Sequence, residues 1–195
     1  MKNGNVRNIK QETLSDHWFT LNKISFEYQK EDGSWEKQVR EAYDRGNGAA
    51  ILLYNKAKGT VLLTRQFRMP TYVNGNTNGM MIEVCAGLLD GDEPETCIKK
   101  EVEEETGYHI SKVQKVMESY MSPGSVTEIL YFFIGVYEDQ MKKSAGGGAA
   151  NETENIEVLE YPFTVALDMI KTGAIKDAKT IMLLQYAAME RIFNV

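Results

Sequence analysis

The stretch from Gly87 to Tyr108 constrains this chain more than any other. It reads Gly87-Leu-Leu-Asp-Gly-Asp-Glu93 and then, after residues 94–99, Lys100-Glu101-Val102-Glu103-Glu104-Glu105-Thr106-Gly107-Tyr108. A glycine loop leaves an apolar strand near Ala86 and runs into a helix whose two ends are both punctuated. Asp92 as N-cap, Pro94 in the first turn and Glu95 three residues after the cap predict its start, and Gly107 its stop, giving a helix over 93–106. At about 100° per residue, Glu101 and Glu105 lie about 40° apart, with Glu104 about 60° to the other side of Glu101. Three carboxylates then share one face in the last turn, where the helix dipole disfavours anions. Like charges four residues apart destabilise a helix by ~0.2–0.5 kcal/mol per pair. A solvated acidic face is the ordinary fate of a glutamate-rich helix. Here, however, the glycine loop lets the backbone at 86–88 approach the carboxylates, and a hard divalent cation suits that set of oxygen donors.

The rest of the chain supplies the frame for such a helix. Runs rich in β-branched and aromatic residues, bounded by turn residues, predict strands over 17–29, 35–43, 49–54, 60–65, 80–85, 113–119 and 129–137. Asp32-Gly33 between the first two marks a hairpin. This hairpin precedes the glycine-rich Asp44-Arg45-Gly46-Asn47-Gly48 and reads as an extension, 1–45, ahead of one main domain, 46–195. Long two-stranded ribbons are marginal alone, so the extension needs something to pack on, and a second subunit would serve. Two further helices are expected, over 163–171 ended by Gly173, and over 177–193 with Ile181, Leu184, Ala188 and Ile192 at helical spacing. Between them and the strands, 142–153 holds Gly146-Gly147-Gly148-Ala149-Ala150 and has no apolar period, which is the composition of a surface loop.

Composition narrows the partners. The 28 acidic residues against 22 basic ones leave a formal charge of -6, the wrong balance for a protein that must neutralise many nucleic-acid phosphates. Cys85 and Cys97, the two cysteines, sit in apolar patterns and indicate packed thiols, with neither a disulfide framework nor a zinc cluster. The start of the chain lacks an apolar leader, and no run approaches the ~18 apolar residues that span a bilayer. A cytoplasmic protein with no membrane partner is expected.

The stretch from Gly87 to Tyr108 resembles the Nudix box, in which Gly-x5-Glu-x7-Arg-Glu-U-x-Glu-Glu-x-Gly-U, with U apolar, forms a loop-helix-loop that holds Mg²⁺ on a diphosphate. Two departures stand out: six residues separate Glu93 from Lys100, and Lys100 stands in the arginine position. Lysine keeps the charge but gives up bidentate pairing. The resemblance extends over nearly the whole chain, through Asp44-Arg-Gly-Asn-Gly-Ala49, Arg65-Gln-Phe-Arg68, Val73-Asn-Gly-Asn76, Met121-Ser-Pro-Gly124 with Thr127-Glu128, Ala145-Gly-Gly-Gly148, and Ile156-Glu-Val-Leu-Glu160 followed by Met169-Ile-Lys-Thr-Gly173. These segments are similar to the GDP-mannose pyrophosphatase family within the ADP-ribose pyrophosphatase-like branch of the Nudix hydrolases, which shares the shortened box.

That resemblance implies a fold, a reaction and a set of residues. The fold is α/β, an α/β/α sandwich around a mixed sheet with the N-terminal β-hairpin added, acting as a homodimer. The reaction is Mg²⁺-dependent hydrolysis of the pyrophosphate bond of a nucleotide sugar. GDP-mannose would give GMP and mannose 1-phosphate. Metal ligation falls to the Ala86 carbonyl, Glu101, Glu105 and Glu154. Substrate contacts fall to Arg68, the backbone from Ala86 through Gly87 to Leu88, Glu105, Glu128, Glu154 and Lys179. Trp18 and Val39-Arg40-Glu41 complete the nucleotide end. Trp18 stands where the pattern has tyrosine, Val39 where it has lysine, and Thr153 where it has an acid. Glu105 and Glu154 are both candidates for the general base, with Glu101 beside them in the catalytic set. An ADP-ribose pyrophosphatase would need the same metal site and differ only at the base and sugar pockets, and a nucleotide-binding regulatory module of this fold is the alternative outside enzymes.

Overall fold

The computed structural model describes residues 4–148 and 155–193. Two compact units form, one from Met1–Asn47 with Tyr120–Ile129, the other from Gly48–Ser119 with Leu130–Val195.

In the first unit, β1 (Val6–Asp16), β2 (Thr20–Gln29) and β3 (Trp35–Asp44) make an antiparallel sheet in that order. The expected hairpin is β2 and β3, whose register pairs Gln29 with Trp35. Asp32 accepts from the Ser34 backbone N–H at 2.8 Å in the turn. Strand β1 was not expected. Its sequence is polar and almost wholly exposed, so no apolar alternation announces it, and cross-strand pairs such as Arg7 with Glu27 at 2.7 Å and Lys23 with Glu12 at 3.1 Å line its junction with β2. The loop 120–129 joins this unit through the backbone: Tyr43 N–H donates to Ser125 at 2.7 Å, and Thr127 N–H donates to Tyr43 at 3.1 Å.

The second unit is built on a seven-stranded sheet. Its path is β10 (Glu157–Pro162), β5 (Thr60–Phe67), β4 (Gly48–Asn55), β9 (Ile129–Val136) and β8 (Gln114–Tyr120), with β6 (Met80–Glu83) paired to β5 and β7 (Cys85–Leu88) paired to β4. Strands β4 and β9 run parallel, while β5 pairs antiparallel with both β4 and β10, so the sheet is mixed. Almost every residue of β4 is buried, as befits a strand covered on both faces. Helix α2 (Pro94–Glu101) packs on β4 and β7, while α3 (Phe163–Thr172) and α4 (Ala178–Met189) pack together with α4 against β4. This is the expected sandwich. Ala49, Ile51 and Leu53 of β4 share a core with Cys97, Ile98 and Val102, and each large aliphatic side chain there contributes ~1.5–3 kcal/mol on leaving water.

Four local features differ from the sequence reading. A short α1 (Met69–Val73) follows β5, with Arg68 at its N-cap position. The strand expected over 80–85 breaks at Val84, where the chain leaves β5 and pairs with β4. The Val84 N–H, released from the ladder, donates to the Thr180 hydroxyl at 2.8 Å. Glu93, rather than Asp92, occupies the N-cap of α2, and no side-chain bond caps it. After Glu101 the helix widens into a π-helical turn over Val102–Thr106, a form frequent at functional sites.

Candidate active site

The π-turn alters the expected acidic face. Glu104 turns toward Lys100, 3.8 Å away, and Glu103 pairs with His109 at 2.8 Å. Glu105 is 2% exposed and packs inside. Among the described residues, no three acidic, cysteine or histidine side chains gather closely enough to hold a metal ion. The expected group of three carboxylates on one face is therefore corrected: the helix widens after Glu101, and Glu104 pairs with Lys100 instead. Glu154 and Thr153 lie outside the described residues.

Glu101 and Glu105 remain directed toward β7. A Cβ atom at Gly87 would overlap the Glu101 carboxylate, so the absence of a side chain there is what lets Glu101 lie against the strand. Cys85, on the same strand, registers both acids. Burial first, then the charge and hydrogen bond of Glu105, then the charge of Glu101, push its thiol well above the ordinary range. Cys97 rises to about 12 through burial and the charges of Glu101, Asp92 and Asp90. Both cysteines are free, buried thiols. Two carboxylates lying beside a strand that carries no side chain at Gly87 suit a hard cation that also takes backbone carbonyl oxygen.

The end of this helix is secured from 146–148. Gly147 N–H donates to the Glu105 carbonyl at 2.9 Å, and Gly148 N–H to the Glu104 carbonyl at 3.1 Å. These bonds satisfy acceptors that a helix end leaves open. At Gly146, φ is 71° and a Cβ would overlap the Glu105 carbonyl oxygen, so the glycine run is a close-fitting clamp that leads directly into 149–154.

Two cations predicted for substrate meet on one buried carboxylate that the sequence reading missed. Arg68 donates through Nε and Nη2 to the two oxygens of Glu83, at 2.8 and 3.1 Å. Lys179 donates to the same carboxylate and to Asp177 at 2.9 Å. Asp177 also caps α4 by accepting from the Thr180 N–H at 2.9 Å. Burial opposes the charge on Arg68, but the bonds and charge of Glu83, with Glu105 and Asp177 farther off, outweigh it and raise its pKa. The signal for Glu83 was a lone acid in the apolar run Met80-Met-Ile-Glu-Val-Cys85, since buried charges are almost always paired.

Burial would push the Glu83 carboxyl up, but Lys179 and Arg68 bring it down from 4.5 to about 2. The folded state then binds fewer protons than the unfolded chain between those values. The stabilisation is fully present above about pH 5 and is lost as pH falls toward 2. It amounts to roughly 3 kcal/mol. Denaturant unfolding at pH 7, 5 and 3 should show a steeper loss for the natural chain than for Glu83→Gln, and parallel declines would refute this contribution.

The remaining predicted contacts lie in the first unit. Trp18 is 82% exposed and meets Phe19 edge-on with ring centres 6.2 Å apart. Arg40 donates to the Val39 carbonyl at 2.7 Å, and Glu41 is the register partner of Lys23. Glu128 is 9% exposed and lies 3.7 Å from Arg45. Among the described residues, no helix is long and apolar enough to cross a membrane.

Residues 44–184 match the NUDIX domain family, and residues 5–43 match the GDP-mannose pyrophosphatase NudK N-terminal domain. A GDP-mannose pyrophosphatase of Shigella dysenteriae serotype 1 is 56% identical over 186 residues, 95% of this chain and 96% of that protein. One from Pectobacterium atrosepticum is 56% identical over 179 residues, 92% of each chain. A solved structure described as an ADP compounds hydrolase has 17% sequence identity and a TM-score of 0.72, across 97% of this chain and 94% of that one, which is a likeness of fold. The chain belongs to the NUDIX family, in the same group as the GDP-mannose pyrophosphatases of these bacteria.

Proposed function

We propose that this chain hydrolyses the pyrophosphate bond of GDP-mannose to GMP and mannose 1-phosphate. The observation that carries this reading is identity of 56% across 95% of the chain to proteins of that name. The arrangement of Glu101 beside Gly87 and Glu105 beside Cys85, with Arg68 and Lys179 on Glu83, supports it. The Ala86 carbonyl, Glu101, Glu105 and Glu154 would hold Mg²⁺. When bound, the ion supplies charge neutralisation of the diphosphate and a more acidic water. Arg68 and Lys179 bind phosphate oxygens, and the backbone of Gly87 and Leu88 borders the same group. Glu105 or Glu154 accepts the proton of the attacking water as the P–O bond to the leaving phosphate breaks. Glu128 orients the substrate.

The nucleotide end falls to Trp18, whose exposed ring offers a stacking face, and to Val39, Arg40 and Glu41. Val39 contributes backbone only. A homodimer formed through the N-terminal sheet, 1–45 beside the hydrolase domain 46–195, would deliver these residues from the partner, and a cytoplasmic setting fits the free thiols.

Product analysis over a panel of nucleotide sugars with Mg²⁺ tests the reading, with the mass of the same preparation measured by light scattering. GDP-mannose should turn over fastest, to GMP and mannose 1-phosphate, in a dimeric protein. Faster cleavage of ADP-ribose would reassign the substrate. Nucleotide binding without turnover would favour the regulatory module.

A further inference from the structure

Glu83 is 3% exposed and sits where the chain exchanges one strand partner for another. Its two oxygens receive Nε–H and Nη2–H of Arg68, the residue after β5, and the ammonium of Lys179, from the first turn of α4. The neighbouring bonds tie the same three places together. Thr64 donates to the Glu83 carbonyl at 3.3 Å, Val84 N–H donates to Thr180, and the Thr180 hydroxyl donates to Asp177 at 2.6 Å. Residues 68 and 179, far apart in sequence, are thereby held on one carboxylate.

A buried ion pair is a weak device for stability alone, because apolar residues would fill the same space without desolvating charge. What a carboxylate adds is direction. Two-point contact fixes the plane of a guanidinium. Among the described residues, Arg68 uses two of the five N–H donors a guanidinium carries, and Lys179 uses two of the three on an ammonium. Donors remain on both cations, held close together, where two like charges would otherwise separate.

We infer that Glu83 is a positioning residue for the diphosphate, fixing Arg68 and Lys179 as a preassembled pair whose remaining donors take phosphate oxygens. This rests on the proposed reading in which those two cations contact the substrate. Removing the carboxylate also adds net positive charge, which by itself would attract the anion. That attraction is screened at a half-exposed arginine, whereas displacing a binding group by about 1 Å costs about a hundredfold. Loss of placement therefore prevails over gain of charge.

The test compares the natural chain with Glu83→Gln and Glu83→Asp. KM and kcat are measured on GDP-mannose, together with the inhibition constant of pyrophosphate in Mg²⁺ and the Mg²⁺ concentration for half-maximal rate. Glu83→Gln should raise KM and the pyrophosphate constant about tenfold or more. Its kcat should change less than about threefold, and its Mg²⁺ requirement should stay put. Glu83→Asp, which keeps the charge, should recover part of the loss. A folded Glu83→Gln with KM and pyrophosphate constant within about twofold of the natural chain overturns the inference, as does tighter binding or a loss confined to thermal stability. If Glu83→Gln does not fold, an unaltered pyrophosphate constant in Glu83→Asp is the overturning result. A natural chain that binds pyrophosphate without cleaving GDP-mannose removes the proposed substrate only, because pyrophosphate binding reads the two cations directly.

Discussion

Glu105→Gln is expected to fold and to lose at least about a hundredfold in kcat. The two halves of this expectation have different causes. Glu105 is 2% exposed and hydrogen-bonded with Cys85, a bond that an amide oxygen can still accept. The amide has nearly the same shape and no charge, so the core keeps its packing. The Glu105 carbonyl, which accepts from Gly147, is untouched by the change. Catalysis is another matter, because an amide is a poor ligand for a hard cation and cannot take a proton from water. Thermal unfolding and GMP release on one preparation separate the halves. Activity within a few-fold of the natural chain would remove Glu105 from the centre of the site.

Gly87→Ala should cost less than about 1 kcal/mol in stability and raise the Mg²⁺ needed for half-maximal rate about tenfold or more. Gly87 is not among the glycines with positive φ, so alanine meets no backbone strain there. The overlap is with the flexible end of Glu101, which can swing aside at little energetic cost. That small motion withdraws a proposed ligand from the strand whose carbonyl at Ala86 completes the set. A structural substitution and a metal-site substitution thus predict opposite patterns. Metal titration of activity, alongside denaturant unfolding, distinguishes them; an unchanged Mg²⁺ requirement would show that Glu101 need not lie on Gly87.

The helix from Pro94, its stop at Gly107 and the strands that frame it were readable because each is announced by neighbouring residues: a proline in the first turn, a glycine after the last, alternation along β-branched runs. The same holds for α3, which ends at Gly173 in the left-handed conformation. Strand β1 could not be read in this way. Eight of its eleven side chains are polar, nearly all are exposed, and what makes it a strand is the hydrogen-bonding edge of β2. The widening of the helix after Glu101 also left no local mark, since Val102–Thr106 would suit an ordinary α-helix by propensity.

The site divides along the same line. Sequence alone determined which residue types are available for the chemistry, the acids at 101 and 105, the glycine at 87 and the cations at 68 and 179, because composition and short spacing are properties of the chain itself. Tertiary structure alone decided which of them meet. The exchange of strand partners at Val84 places Glu83 between Arg68 and Lys179, and the Gly146–Gly148 backbone closes on the carbonyls of Glu104 and Glu105. Such contacts depend on the energy of burying and pairing charge between segments distant in the chain, which no local pattern encodes.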